Sequence, residues 1–413
     1  MRICLMHSKS RLSTSVRCLF LALLCSCASM AVQPQSCDSL RAQDGDVISV
    51  HCGGAPSAVF GDDGKLWVTF VQDMHVYVSS SSDEGDSWSE PVQVNAEPED
   101  TEFNGENRPK ILVREDTVLL SWTTKTSSNY TGEIRFARST DGGKTFEAPR
   151  TMNDDGLVTG HRFDSLMLAE DDTLYLTWID KRDLDAAIER SENYPGAAIY
   201  YTVSTDLGES FTRNFRVSHN SCECCRIAMA PHGESDMAIL WRQIYDDTIR
   251  DHGIAVLTSD GEVEGLNRAT VDDWHINACP HHGPTMVAAD ADGQFHLAWF
   301  SAGNIHSGIH YGMYDLALGE TTQIMPVDAV PGAGHPSLAR HDGVLYIVWK
   351  GFDGMGTQLR LMTSTDEGNS WSKAKTLYTT EQASDHPLLV TSDDGVWLSW
   401  LTAEHGYMFK EVK

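Results

Sequence analysis

Three cysteines stand within four residues at Cys222-Glu223-Cys224-Cys225, and a fourth opens the segment Cys279-Pro280-His281-His282. Thiolate and imidazole are the ligands that soft and borderline metal ions take, at about 2.0–2.3 Å. Cys222, Cys224, Cys225 and Cys279 with His281 or His282 therefore read as a site for copper, with zinc the alternative. The function that follows is metal handling or delivery, with a metal-donor or metal-acceptor protein as partner. The same four cysteines could instead close two disulfides, since adjacent cysteines bridge each other only with strain but can each bridge another partner.

Such a site needs elements that bring distant segments to one point, and an internal repeat supplies them. Seven segments share a small or polar lead-in, a short apolar strand, an acidic or Asp-Gly turn, and a second apolar strand with a bulky aromatic expected at its end. The aromatics are Phe70, Trp122, Trp178, Trp241, Trp299, Trp349 and Trp400, between 50 and 63 residues apart. Short strands at even spacing with a recurrent aromatic predict an all-β propeller of four-stranded blades, seven by this count. In such a repeat the first strand of each unit is innermost, so the lead-ins gather at one mouth of a central channel. Six of the seven contain histidine or cysteine: His51-Cys52, His161, Cys222 to Cys225, Cys279 to His282, His335-Pro336 and His386-Pro387; the seventh is Glu106-Asn107-Arg108-Pro109. The last unit lacks a fourth strand, and Asp46–Val50 is expected to supply it by pairing with 407–413, closing the ring and hiding an edge.

Four turns after the third strands match closely: Ser81-Ser82-Asp83-Glu84-Gly85-Asp86-Ser87-Trp88, Ser139 to Phe146, Ser204 to Phe211, and Ser364 to Trp371. They resemble the Asp boxes, or BNR repeats, of the sialidase (neuraminidase) superfamily. The resemblance implies a propeller, with six blades in the catalytic members, and an exo-sialidase-type glycoside hydrolase acting on sialylated glycans. Carried over, it implies Arg108, Arg226 and Arg242 (with Arg250 also available) as holders of a substrate carboxylate and Asp164 or Glu106 as acid. The chain departs from that pattern: Arg108-Pro109 lacks the family's middle residue, and histidines stand where a tyrosine would open the sixth or seventh inner strand. A propeller that binds protein or glycan without catalysis is a third reading, because this fold hosts many functions.

Residues 1–31 read as an export signal, with Arg2, Lys9, Arg11 and Arg17 before the apolar run Cys18 to Leu24. Leu24-Cys25-Ser26-Cys27 resembles a lipobox that would leave a lipid on Cys27; Ser29-Met30-Ala31 would suit ordinary cleavage. Residues 32–45 read as a linker and 46–413 as one domain, placed in the periplasm or at the cell surface. The whole chain carries a net charge of −28, which disfavours nucleic acid and anionic membranes as partners. An anionic substrate would need a locally basic pocket. Cys37 and Cys52 are expected to form a disulfide around the N-terminal loop, worth roughly 3 kcal/mol in the chain-entropy model.

Overall fold

The computed structural model describes residues 36–126 and 130–413. The expected signal over 1–31, with Cys27, lies outside the described residues. Among them the chain is almost wholly β, with two short helices, Cys37–Asp44 and Arg182–Glu189. The first helix lies in the segment expected to be a linker; Ser36 caps its N-terminus by accepting from Ser39 N.

Antiparallel sheets follow one another along the chain. The first holds Gly54–Phe60, Leu66–Gln72, His75–Ser81 and Val92–Gln93, and the second runs from Lys110–Arg114 to Arg150–Thr151. An eight-stranded sheet comes next, made of two four-stranded meanders that begin at His161–Leu168 and Ala228–His232 and are joined by one pair, Ser221 with Gln243. Two further four-stranded sheets begin at Thr285–Ala288 and Gly334–His341, and a three-stranded one at Leu388–Ser392. The initial strands of successive units touch in order, and Leu388–Ser392 touches Gly54–Phe60.

The recurrent aromatics are the anchors of this arrangement. Phe70 and the six tryptophans are at most 1% exposed. A buried indole must place its N–H, and each finds an acceptor: Glu99 for Trp122, Asp180 for Trp178, Gln243 for Trp241, Asp272 for Trp299, Asp328 for Trp349 and the Asp385 carbonyl for Trp400. The aromatics lie inside their strands and not at the ends, as Trp122 does within Thr117–Lys125.

The four matching turns share one hydrogen-bond pattern. In the last, Ser364 Oγ donates to Asp366 Oδ1 and accepts from Gly368 N, while Asp366 accepts from the backbone and hydroxyl of Ser370. The closing aromatic packs on the preceding sheet: Phe211 on Phe136 and Trp371 on Tyr311, both with centroids 4.9 Å apart, and Trp88 on Tyr407 of the last sheet. Gly368 has φ +80°, and a Cβ there would sit 1.9 Å from Tyr311 Oη. Gly368→Ala should therefore combine left-handed strain with overpacking and lower stability by about 2–4 kcal/mol in urea unfolding.

The expected closing strand does not form. Asp46–Val50 has no strand conformation, and the last sheet keeps three strands. Gln72 holds the segment instead, donating to Val47 O and accepting from Ser49 N, and the chain turns at once as Cys52 N and Gly53 N donate to Ser49 O. The Cys37–Cys52 disulfide is present. Val50 is buried against Tyr407 and Phe409, so the segment covers the sheet by side-chain packing without extending it.

Candidate functional site

The lead-ins meet, and a carboxylate joins them. Asn104 shapes its turn, its side-chain oxygen accepting from Glu106 N and Asn107 N. Glu106, 3% exposed, accepts from Arg226 N at 3.2 Å and Arg226 Nη1 at 2.9 Å, from Gly283 N at 2.7 Å and from His335 Nδ1 at 3.1 Å. His386 Nδ1 lies 3.6 Å away. One side chain thus ties its own lead-in to three others by hydrogen bonds, with His386 of a fifth beside it. Arg226 extends the knot by donating to Pro284 O and Pro336 O.

Glycine permits this crowding. A Cβ on Gly105 would fall 2.1 Å from His386, one on Gly283 2.2 Å from Arg226 Cγ, and one on Gly334 2.8 Å from His282. His335 itself sits at φ 55° within a strand irregularity between Gly334 and Ser337, a sparsely populated conformation that the surrounding contacts must hold. Three imidazoles then stack: His282 on His335 at 4.4 Å and His335 on His386 at 3.4 Å, with Phe300 on the far side of His282 at 4.1 Å. His282, Phe300 and His335 line a cleft of about 380 Å³.

Burial alone would raise the Glu106 carboxyl, but the Arg226 guanidinium and His335 hold it well below the usual carboxylate range. Burial and the neighbouring His335 lower His386 to about 2, and the same two causes lower His282 to about 4. Desolvation lowers Lys110, whose ammonium donates to Arg108 O. His386 faces His335, Glu106, Arg226 and Arg108. Its folded-state value lies below that of a free imidazole, near 6.5, so the unfolded chain binds more protons below that pH. Stability from His386 is present above about pH 6.5 and should fall as pH drops toward 4. Urea midpoints at pH 7 and 4.5 check this, and His386→Phe should flatten the difference.

Arg108 donates to Pro56 O, Gly105 O and Asp385. Arg242, 1% exposed, donates to the carbonyls of Arg250, His282 and Phe300 and lies over Trp274. Asp164 is buried and accepts from Ser121 and Thr123. These three therefore brace the lead-ins, and only Arg226 of the four belongs to the Glu106 knot.

The Cys222, Cys224 and Cys225 sulfur atoms all lie within 4.8 Å of one another, and the three residues are buried. The Cys279 thiol interacts with those of Cys222 and Cys224. His281 is the charged neighbour of Cys279, while His282 belongs to the imidazole stack. Lys110 and Asp385 carry no sequence signal of their own. Gly105 and Gly334 are different: small residues beside carboxylate or imidazole in a lead-in mark a close approach.

No protein family and no curated protein matches the chain. Among solved structures it is similar to a protein of unknown function from Dyadobacter fermentans, with 12% identity, 76% of this chain and 95% of that one covered, and a TM-score of 0.53. It is also similar to a polysaccharide lyase, PL25 ulvan lyase, solved bound to a glucuronate–sulfated rhamnose saccharide (11% identity, 87% and 94% covered, TM-score 0.54). A third is the polysaccharide lyase Uly1 (12% identity, 91% and 96% covered, TM-score 0.50). At these identities the likeness is one of fold.

Proposed function

We propose that the chain is a seven-bladed β-propeller enzyme acting on an acidic glycan at its central mouth, with His335 as general base. The contact of Leu388–Ser392 with Gly54–Phe60 and the packing of Trp88 on Tyr407 support a ring closed between the last and first units. The observation that carries the activity is the Glu106–His335 pair beside the cleft. Nδ1 donates to the carboxylate, which leaves Nε2 as the basic nitrogen of the ring.

The cleft lining includes His282 and His335 and no carboxylate. Two-carboxylate glycoside hydrolysis requires a pair of acids flanking the bond, so the lining favours elimination: His335 Nε2 takes the C5 proton beside a uronate carboxylate, the C4=C5 double bond forms as C4–O4 breaks, and water protonates the departing O4. Arg226 and Lys110 are the basic side chains around Glu106, Arg226 being paired with its carboxylate. The fold likeness to two polysaccharide lyases supports the same substrate class.

Incubation with a panel of uronate polysaccharides, and separately with a fluorogenic sialoside, tests the reading. The expected result is cleavage of at least one uronate polymer that leaves a new reducing end on one fragment and, on the other, a new non-reducing end carrying the unsaturated, ultraviolet-absorbing uronate. Release of fluorophore from the sialoside alone, or no cleavage of any member, overturns it.

A further inference from the structure

Cys222 to Cys225 form the turn that leads into Ala228–His232, and Cys279 stands in the loop before Thr285–Ala288. Three sulfurs, of Cys222, Cys224 and Cys225, thus gather at one place, with Cys279 of the next lead-in beside Cys222 and Cys224 but outside that three-sulfur group. Cys222 and Cys224 are 3.8 Å apart at sulfur, far beyond the roughly 2.05 Å of a disulfide, while Cys37 and Cys52 are bonded in the same chain. A metal–thiolate bond of about 2.3 Å places sulfurs about 3.8 Å apart in a tetrahedron and about 4.0 Å apart in a trigonal plane. The three buried sulfurs, all within 4.8 Å of one another, are already at that scale.

The surroundings fit an ion held by sulfur. Cys222 is fixed by its N–H to Arg242 O. Glu223, the acid inside the motif, is turned away and paired with Lys181, so no hard oxygen donor enters the group. Cys225 has both Glu106 and Arg242 as charged neighbours and Cys279 has Lys181; Arg242 and Lys181 are the fixed cations here. They offset part of the negative charge that several thiolates bring. Cys279 is exposed where the other three are buried, which gives an ion one side from which to arrive. His282 lies in the imidazole stack and His281 stands beside Cys279; neither imidazole belongs to the three-sulfur group.

We propose that Cys222, Cys224 and Cys225, with Cys279 closing the fourth position, bind one thiophilic d10 cation, Cu(I) or Zn(II), which clamps the fourth lead-in to the fifth. Soft thiolate sets select these ions. The clamp would fix the backbone of Arg226, the residue after Cys225. The proposal goes beyond the glycan reading and does not depend on it.

The full chain, reduced and freed of metal under anaerobic conditions, is loaded with Cu(I) alone or Zn(II) alone and then desalted. One retained ion per chain is expected, with the four thiols protected from a disulfide reagent and released by a chelator. The arm that retains its ion against the stronger competing chelator identifies the metal. Cys225→Ser should abolish retention. Cys279→Ser, at an exposed position, should weaken it by at least the roughly 10- to 100-fold that outer-sphere changes cost. An ion that washes out of the wild type while four thiols titrate freely overturns the proposal. So does undiminished retention by Cys279→Ser and Cys222→Ser together, or a mass showing these cysteines paired as two disulfides in protein never exposed to oxidant.

Discussion

Replacing Glu106 with alanine is expected to lower the unfolding free energy by roughly 3–5 kcal/mol, the cost of leaving the partner of a buried ion pair uncompensated. The carboxylate is 3% exposed and takes hydrogen bonds from Arg226, Gly283 and His335. Truncation strands the Gly283 N–H and leaves Arg226 facing only carbonyls at Pro284 and Pro336. Glu106→Gln should cost less, because it keeps the shape and part of the bonding while losing the charge. The sign with pH follows from the lowered carboxyl. Stability from Glu106 is complete above the ordinary carboxylate range near pH 4.3 and is lost as pH falls through its folded value. Urea unfolding at pH 7 checks the first claim, and a loss below about 1 kcal/mol would show that the knot does not hold the lead-ins together.

Glu106 also marks where the sequence stops being informative. The tryptophans could be read because each repeats a local pattern, and the four Ser-x-Asp turns because their bonds close within four residues of the aspartate. The closeness of the Cys222, Cys224 and Cys225 sulfurs has a local origin as well, because all three stand within four residues of one lead-in. The partners of Glu106 follow no such local rule. They lie 120, 177 and 229 residues away, and which lead-in supplies the carboxylate depends on register and rotamer. The N-terminal segment failed in the opposite way. Asp46–Val50 has strand-like composition, but Gln72 binds its backbone groups and the turn at Ser49 ends it before it can pair. The arginines implied by the sialidase resemblance show a further gap, since residue type fixes charge while burial decides whether that charge meets a ligand. Arg242 is an arginine like Arg226, but both of its terminal nitrogens are taken up by carbonyls.

His335→Asn should cut glycan cleavage by roughly 10²- to 10⁴-fold, the usual contribution of a positioned general base, with little change in stability. Asparagine is chosen for two reasons. It tolerates the left-handed backbone that His335 adopts at φ 55°, and its amide can still donate toward Glu106, so the knot keeps a bond that alanine would remove. What asparagine cannot do is accept a proton, so the rate loss isolates the base from the scaffold. If His335 is the base, the acid limb of the wild-type pH–rate profile should disappear in this variant, and the loss should fall on kcat with KM nearly unchanged. A structural role predicts the reverse, a fall in urea midpoint with the pH profile intact. Retention of the wild-type rate within about fivefold would remove His335 as the base. It would direct attention to His282, the other imidazole lining the cleft.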